Sequence, residues 1–418
     1  MRVLVCGAGG FIGQAITERL AQDGHTVLRG VRVPQRSDDV AINYSQDFDP
    51  HEWASKLANV DAVVNAIGII IEGQGQRFDD LHRRAPCALF SACATAGVQR
   101  VVQISALGAE RGTTPYYASK YAADCYLQSL PVEWQILRPG LVYGARGSSA
   151  TAFRTLASLP ITPLPGGGQS LLQPIHIDDL VDAVSTLLSP ATAPRQCVAL
   201  VGPTPLRYRD MLRAYRTALG FAPAIPLSIP AFAMRLLAQI GGRLPGVVLT
   251  PDNWRMLQAG SVADPGARCE LLGHSPKAID EFIPVTEAPT LRQNALAEWR
   301  TPLLRVALAA IWLGTALVSA VIYPQQSSLA LLEQVGFHGA TALAAFYGAI
   351  LIDLTFGLAT LFRPSRRLWW LQLLLISFYS AVISIALPEY WAHPFGPILK
   401  NIPILAILFI LVAEERQP

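Results

Sequence analysis

Tyr116 and Lys120 stand four residues apart in Pro115-Tyr116-Tyr117-Ala118-Ser119-Lys120. On a helix that spacing puts both side chains on one face. An ammonium beside a phenol favours the phenolate and lowers its pKa. A tyrosine so placed is a usable acid–base for a carbonyl or an alcohol. The chain has only four lysines, Lys56, Lys120, Lys277 and Lys400, so Lys120 reads as a working residue. The competing reading is a plain helix start after Pro115.

A second cluster is Gly7-Ala8-Gly9-Gly10-Phe11-Ile12-Gly13, a G-x-x-G-x-x-G loop between a short apolar run and a helical pattern. Glycine serves where the chain turns tightly, where backbone approaches phosphate and where helix packs on strand. The helix start then offers free N–H groups and a positive dipole to a pyrophosphate. Gly7, Gly9, Gly10, Phe11, Ile12 and Gly13 are the expected phosphate-binding residues of a dinucleotide site. Lys120 is then placed to hold a nicotinamide ribose as well. NAD-specific folds put an acid at the end of the second strand. Here that position reads Leu28-Arg29-Gly30-Val31-Arg32. Arg32, helped by Arg36, would meet a 2′-phosphate, so NADP(H) is expected over NAD(H). A solvated surface arginine is the alternative.

These residues need a sheet to hold them. Strand-like runs at Arg2–Cys6, His25–Val31, Asp61–Ile67, Arg100–Ser105 and Glu133–Leu137 alternate with helical patterns. The helical patterns are Phe11–Asp23, Trp53–Ala58, Leu81–Ala96 and Tyr117–Leu130. Such alternation predicts an α/β fold, a Rossmann-like doubly wound parallel sheet with the ligand at the strands' carboxyl ends. From 145 to 290 proline and glycine become frequent, which predicts a small substrate lobe completing a domain of residues 1–290. Within it, Pro230 to Gly241 fits an amphipathic helix on a membrane or at a substrate mouth, or an ordinary core helix.

The composition changes near residue 300. Only 15% of the 418 residues are charged, against roughly a quarter in soluble proteins. After a linker at 291–305, four apolar stretches at 306–323, 339–362, 368–387 and 397–413 predict a four-helix transmembrane region. Arg300 and Arg305 precede the first span, and Arg363, Arg366 and Arg367 fill the loop after the second. The loop from Pro324 to His338 has no Lys or Arg. By the positive-inside rule the N-terminal domain and the C-terminus face the cytoplasm, across an inner membrane. Asp353 lies inside the second span, where an ionisable group is a functional candidate. The first residues read as a strand rather than as a signal peptide. The net charge of +3 with no basic run does not suggest nucleic acid. Six cysteines without C-x-x-C pairs read as buried reduced thiols, and no metal site is expected.

The glycine loop, Asp61-Ala62-Val63-Val64-Asn65-Ala66, the Y-x-x-x-K and Leu137-Arg138-Pro139-Gly140-Leu141-Val142-Tyr143-Gly144 resemble the short-chain dehydrogenase/reductase superfamily. Asn65-Ala66-Ile67-Gly68, Ile104-Ser105-Ala106-Leu107-Gly108-Ala109 and Gln173-Pro174-Ile175-His176-Ile177-Asp178-Asp179 are similar to its extended and atypical branches. Those branches include the nucleotide-binding accessory subunit of respiratory complex I. The four-span region resembles the DoxX-like membrane family. The resemblance implies that Tyr116 and Lys120 are catalytic. It places Asn65, Ala66 and Ile67 along the cofactor, and Pro139 and Gly140 near the nicotinamide. It also implies a catalytic hydroxyl at the end of the fifth strand. Ser105 is available, but Leu107 occupies the usual position, which weakens the case for turnover. His176, Asp178 and Asp179 take a structural role by the same resemblance.

The leading expectation is a membrane-anchored NADP(H)-dependent oxidoreductase acting on a lipophilic carbonyl- or quinone-like substrate, a quinone or isoprenoid being candidates. One alternative is a catalytically weak nucleotide-binding protein, a redox sensor or an assembly factor of a membrane complex. A further alternative is an NAD(P)-dependent epimerase or dehydratase.

Overall fold

The structure is a computed structural model that describes residues 1–73, 75–243, 249–263 and 271–415. The chain forms two compact units, Met1–Ala295 and Leu296–Pro418.

In the first unit β1 (Arg2–Cys6), β2 (Thr26–Val31), β3 (Asp39–Ala41), β4 (Ala62–Asn65), β5 (Arg100–Ile104) and β6 (Glu133–Pro139) join the strand Gln196–Leu200 in one sheet. The order is Gln196–Leu200, β6, β5, β4, β1, β2, β3, and every neighbouring pair is parallel. Parallel strands need both faces covered, so they read as near-continuous apolar runs. Leu4, Val63, Val101 and Ile136 face one layer, with α2 (Ala85–Ala96) and α3 (Pro115–Gln128) over them. Val3, Val5, Val64, Val102 and Leu137 face the other, beneath α1 (Phe11–Gln22) and the helix Ile177–Leu188. Each such side chain contributes about 1.5–3 kcal/mol by leaving water. Strand order reverses between β1 and β4, the place where open α/β sheets bind ligands.

Two strands of this sheet escaped the sequence reading, β3 and Gln196–Leu200. The second lies within the stretch expected as the lobe, yet it pairs with β6. The lobe proper is therefore smaller. It packs Tyr143, Met211, Leu212, Tyr215 and Phe282 around the helices Ser148–Ser158 and Tyr208–Ala218. The helix expected at Trp53–Ala58 is a short 3-10 turn, Pro50–Trp53. Of the cysteines, Cys6 and Cys93 are buried, but Cys125 and Cys197 are exposed, which corrects the expectation of uniform burial. Cys269 falls outside the described residues.

Among the described residues three helices are long and apolar enough to cross a membrane: Ala288–Ile322, Gly339–Phe362 and Arg366–Ala386. The stretch expected as a linker is helical, being part of Ala288–Leu317. It contains no glycine, and Pro302 alone does not end the helix. The expected fourth span is shorter, Asn401–Glu414. Its 14 residues make about 21 Å of helix, less than a hydrocarbon core of about 30 Å. Pro397, Lys400 and Asn401 delay its start. A further helix, Gln325–Gln334, occupies the loop after the first span. One polar chain runs through the core of this unit. Trp312 Nε1 donates to Gln372 Oε1 at 2.8 Å, and Gln372 Nε2 donates to Thr360 Oγ1 at 2.8 Å. Gln372 and Thr360 are fully buried. At one end Glu415 accepts from Trp369 Nε1 and pairs with Arg305, and Glu414 accepts from Thr301. The last helix thus ends beside Thr301 and Arg305, midway along the first.

Candidate functional site

The glycine loop joins β1 to α1. Gly7 turns with φ +86°, and Gly7 N and Ala8 N donate to the Gly30 carbonyl at the end of β2. A Cβ on Gly13 would sit 2.0 Å from Gly7 O and 2.6 Å from Gly7 C, so only glycine lets α1 approach the loop this closely. The start of α1 carries no side-chain cap and no acid in its first turn. Its first N–H groups and its dipole are left for an anion. A cradle that a Cβ would fill and an uncapped helix start both fit a pyrophosphate.

Thr114 caps α3 by accepting from Tyr117 N at 3.3 Å, and Pro115 follows at the first helical position. That cap, worth about 1 kcal/mol, sets where the helix begins and hence where Tyr116 and Lys120 point. Lys120 is buried, and its Nζ donates to Ile67 O and Ile104 O, both at 3.1 Å. These carbonyls lie just past β4 and at the end of β5. A third N–H of Lys120 has no partner among the described residues, which leaves it for a ribose hydroxyl. Burial lowers the Lys120 pKa to about 8, while the Asp124 carboxylate pulls it back up. Burial, with Tyr117 alongside, pushes the Tyr116 phenol above its ordinary value. The lowered phenol expected from Lys120 is not what this cleft produces, because burial and the neighbouring Tyr117 both raise it.

Both residues open on one cleft of about 640 Å³, within the range of ligand sites. Gly10, Phe11 and Ile12 line it at one end, and Ala66, Ile67, Pro139 and Gly140 along its walls. The remaining expected residues are placed differently. Gly7, Gly9 and Gly13 shape the loop but do not line the cleft. Asn65 is buried beneath it, accepting from Tyr44 Oη at 2.9 Å and donating to Gln103 Oε1 at 2.7 Å. Its role is to hold the end of β4. Ser105 borders the cleft, yet its hydroxyl donates to buried Asp124 at 2.8 Å. Asp124 also accepts from Arg138 Nε and Nη2. Ala106 and Leu107 continue the wall without a hydroxyl. Arg32 and Arg36 are exposed just past β2 and make no ion pair among the described residues. The loop between them is pinned by Asp39, which accepts from Gln35 N and Arg36 N and pairs with Arg29. The Gln35 amide in particular holds the Asp39 carboxyl below its ordinary pKa.

Sequence reading missed His82. Its Nε2 accepts from Ile69 N at 3.0 Å, so in the neutral ring Nδ1 carries the proton. Nδ1 donates to Ser119 Oγ at 3.0 Å, and Ser119 donates to the Tyr116 carbonyl at 2.9 Å. The imidazole also packs edge-on against the Tyr116 ring at 5.4 Å. Burial, with the Lys120 charge behind it, drives the His82 pKa down to about 2. His176 and Asp178 sit away from the cleft. Asp178 pairs with Lys277 at 2.6 Å, Asp179 accepts from Lys277 N, and Asp178 N donates to His176 Nδ1.

An all-parallel sheet, a glycine loop opening a helix and a Tyr–Lys pair over one cleft define a nucleotide-binding α/β domain. Comparisons narrow the class. Residues 7–157 match the NAD(P)H-binding family model and residues 309–409 the DoxX-like family. An epimerase family protein of Mycobacterium bovis is 29% identical over 257 residues, 56% of this chain and 83% of that one. The mitochondrial NADH dehydrogenase [ubiquinone] 1 alpha subcomplex subunit 9 of Arabidopsis thaliana is 28% identical over 198 residues, 44% of this chain and 49% of its own. UDP-glucuronic acid 4-epimerase of Bacillus cereus, solved with UDP-glucuronic acid and NAD, superposes with a TM-score of 0.54 at 17% identity, over 70% of this chain and 99% of that one. The chain carries an NAD(P)-binding Rossmann domain with a short-chain dehydrogenase/reductase-like fold, followed by a DoxX-like membrane domain.

Proposed function

We propose that the first unit is an NADP(H)-dependent oxidoreductase acting on a carbonyl- or quinone-like group of a lipophilic substrate. One observation carries the reading. The same cleft holds the uncapped start of α1 and, further along, Tyr116 and Lys120. A bound nicotinamide supplies or accepts a hydride there. In reduction of a carbonyl, Tyr116 Oη gives its proton to the oxygen that becomes the alcohol. Lys120, held on two backbone carbonyls, orients a ribose hydroxyl and supports the charge left on Tyr116. Ile69, Ile70, Leu107, Leu141, Met256 and Leu257 give the cleft apolar walls, which suits a lipophilic substrate better than the sugar nucleotide an epimerase would need. Arg32 and Arg36, exposed just past β2 and in no ion pair among the described residues, support NADP over NAD.

A second reading has a specific observation behind it. Ser105 is tied to Asp124, and Ala106 and Leu107 bring no hydroxyl to polarise a carbonyl. On this reading the nucleotide is held as a sensor or structural ligand, and the protein supports a membrane complex. One experiment separates the two. Detergent-solubilised protein is mixed with NADPH and a panel of quinones and lipophilic carbonyls, and absorbance is followed. Turnover that is lost in Tyr116→Phe supports the oxidoreductase. Tight NADPH binding with no oxidation across the panel leaves the sensor. For location we propose an inner membrane, with the first unit and the C-terminus in the cytoplasm, carried by the arginines around 363–367. A reporter fused at the C-terminus reads cytoplasmic if so, and periplasmic if not.

A further inference from the structure

The helix Ala231–Gly241 has its side chains distributed unlike a helix of a water-facing surface. Met234, Ala238 and Gly241 face inward, packing with Trp254. Outward stand Phe232, Leu236 and Ile240, one helical turn apart, with Leu237 beside them. Phe232 is 75% exposed, Leu236 59% and Ile240 48%. The strand that leads into it, Ile225–Ile229, adds exposed Ile225 and Leu227. Isolated exposed apolar residues are ordinary, but a contiguous stripe marks an interaction surface.

We infer that this stripe lies in the interface of the lipid bilayer to which the chain is itself anchored. Three observations choose the bilayer as occupant. The same chain carries three helices long enough to span, so a membrane is tethered close by at high effective concentration. Residues 222–243 contain no acidic side chain, while Arg235 and Arg243 flank the stripe and are exposed. Cations beside large apolar groups suit anionic headgroups over acyl chains. A second copy pairing through the same face would bring these arginines together with no acid on the segment to meet them. The stripe also has a neighbour of consequence. The helix packed beneath it, Pro251–Ala259, contributes Met256 and Leu257 to the cleft wall.

The test uses the full chain in nanodiscs of phosphatidylcholine with a minority of phosphatidylglycerol, doped with a diazirine-bearing phospholipid. After illumination, lipid adducts are mapped by mass spectrometry, with peptides from Gly339–Phe362 as the internal positive control. Adducts are expected on the peptide spanning Phe232–Ile240 and absent from the exposed loop 33–36. The triple substitution Phe232→Ser, Leu236→Ser, Ile240→Ser lowers the stripe's yield about tenfold while the Gly339–Phe362 adducts and NADPH binding hold. Two results overturn the inference: no adduct above the loop 33–36 level in the unsubstituted chain, or an adduct yield unmoved by the triple substitution.

Discussion

Two glycines of the same loop are expected to fail in different ways when given a methyl group. Gly13 has no room. Its Cβ would meet Gly7 O at 2.0 Å and Gly7 C at 2.6 Å, where ordinary contact begins at 3.4 Å, and both atoms are backbone. Gly13→Ala must push α1 off β1, at a cost of about 1–3 kcal/mol or more, and it displaces the N–H groups that would face the pyrophosphate. Gly10 is far less constrained. Its Cβ would meet only Gly7 O, at 3.3 Å, a contact that a small backbone shift relieves, and its backbone is extended. Gly10→Ala should therefore keep the fold. It lines the cleft, however, and its methyl group would occupy the path of the phosphates. Losing one charge-assisted hydrogen bond there costs about 1.5–3 kcal/mol, or roughly 10- to 100-fold in Kd. The assay is NADPH fluorescence titration on solubilised protein beside a thermal melt of each variant. Gly13→Ala should lose both binding and melting temperature, and Gly10→Ala only binding. If Gly10→Ala binds NADPH like the unsubstituted protein, the pyrophosphate does not lie on this loop and the assignment of the cleft fails.

Other expectations concern the groups around Tyr116. Lys120 titrates near 8 in the free protein, so it is charged below that pH and neutral above it, and kcat/KM should fall on the alkaline side of about pH 8. Tyr116 stays protonated through that range because its pKa is raised; a limb that survives in Lys120→Met would show that another group is responsible. His82 is neutral at every pH from 5 to 9 and acts as a positioning residue, so His82→Leu should lower kcat while NADPH affinity holds, with no new acid limb in the pH profile. Equal losses in kcat and NADPH affinity would mark it as a general support of the fold. Arg32→Ala should weaken NADPH by more than about tenfold and NADH hardly at all, as loss of a phosphate contact requires; equal effects on the two cofactors would remove Arg32 as the reader of the 2′-phosphate.

What could be read from the sequence was local. The glycine loop, Thr114-Pro115 and the Tyr116–Lys120 pair are each set by neighbours within a few residues, and they stand where spacing put them. Asp124 was within reach of the same logic, since Tyr116, Lys120 and Asp124 follow at four-residue steps on one helix face. His82, Tyr44 and Gln103 were not, because each arrives from a separate element and meets the site only once the sheet order is fixed. Ser105 shows the limit from the other side. Its position at the end of β5 was legible, but its partner Asp124 sits on α3, and that partner decides what the hydroxyl does. The strand Gln196–Leu200 was hidden for a similar reason. It is a short edge strand in a proline-rich stretch, and only its register with β6 makes it part of the sheet.

Gln372 brings a different kind of information into the second unit. Its single amide accepts from Trp312 and donates to Thr360, which lie on two other helices. Inside hydrocarbon no water can replace either bond, so any sliding or rotation of one span against the others strands a polar group. Leucine-like surfaces tolerate many such offsets at nearly equal energy. The amide does not, and so it acts as an index pin, giving three otherwise interchangeable apolar helices one rotational setting.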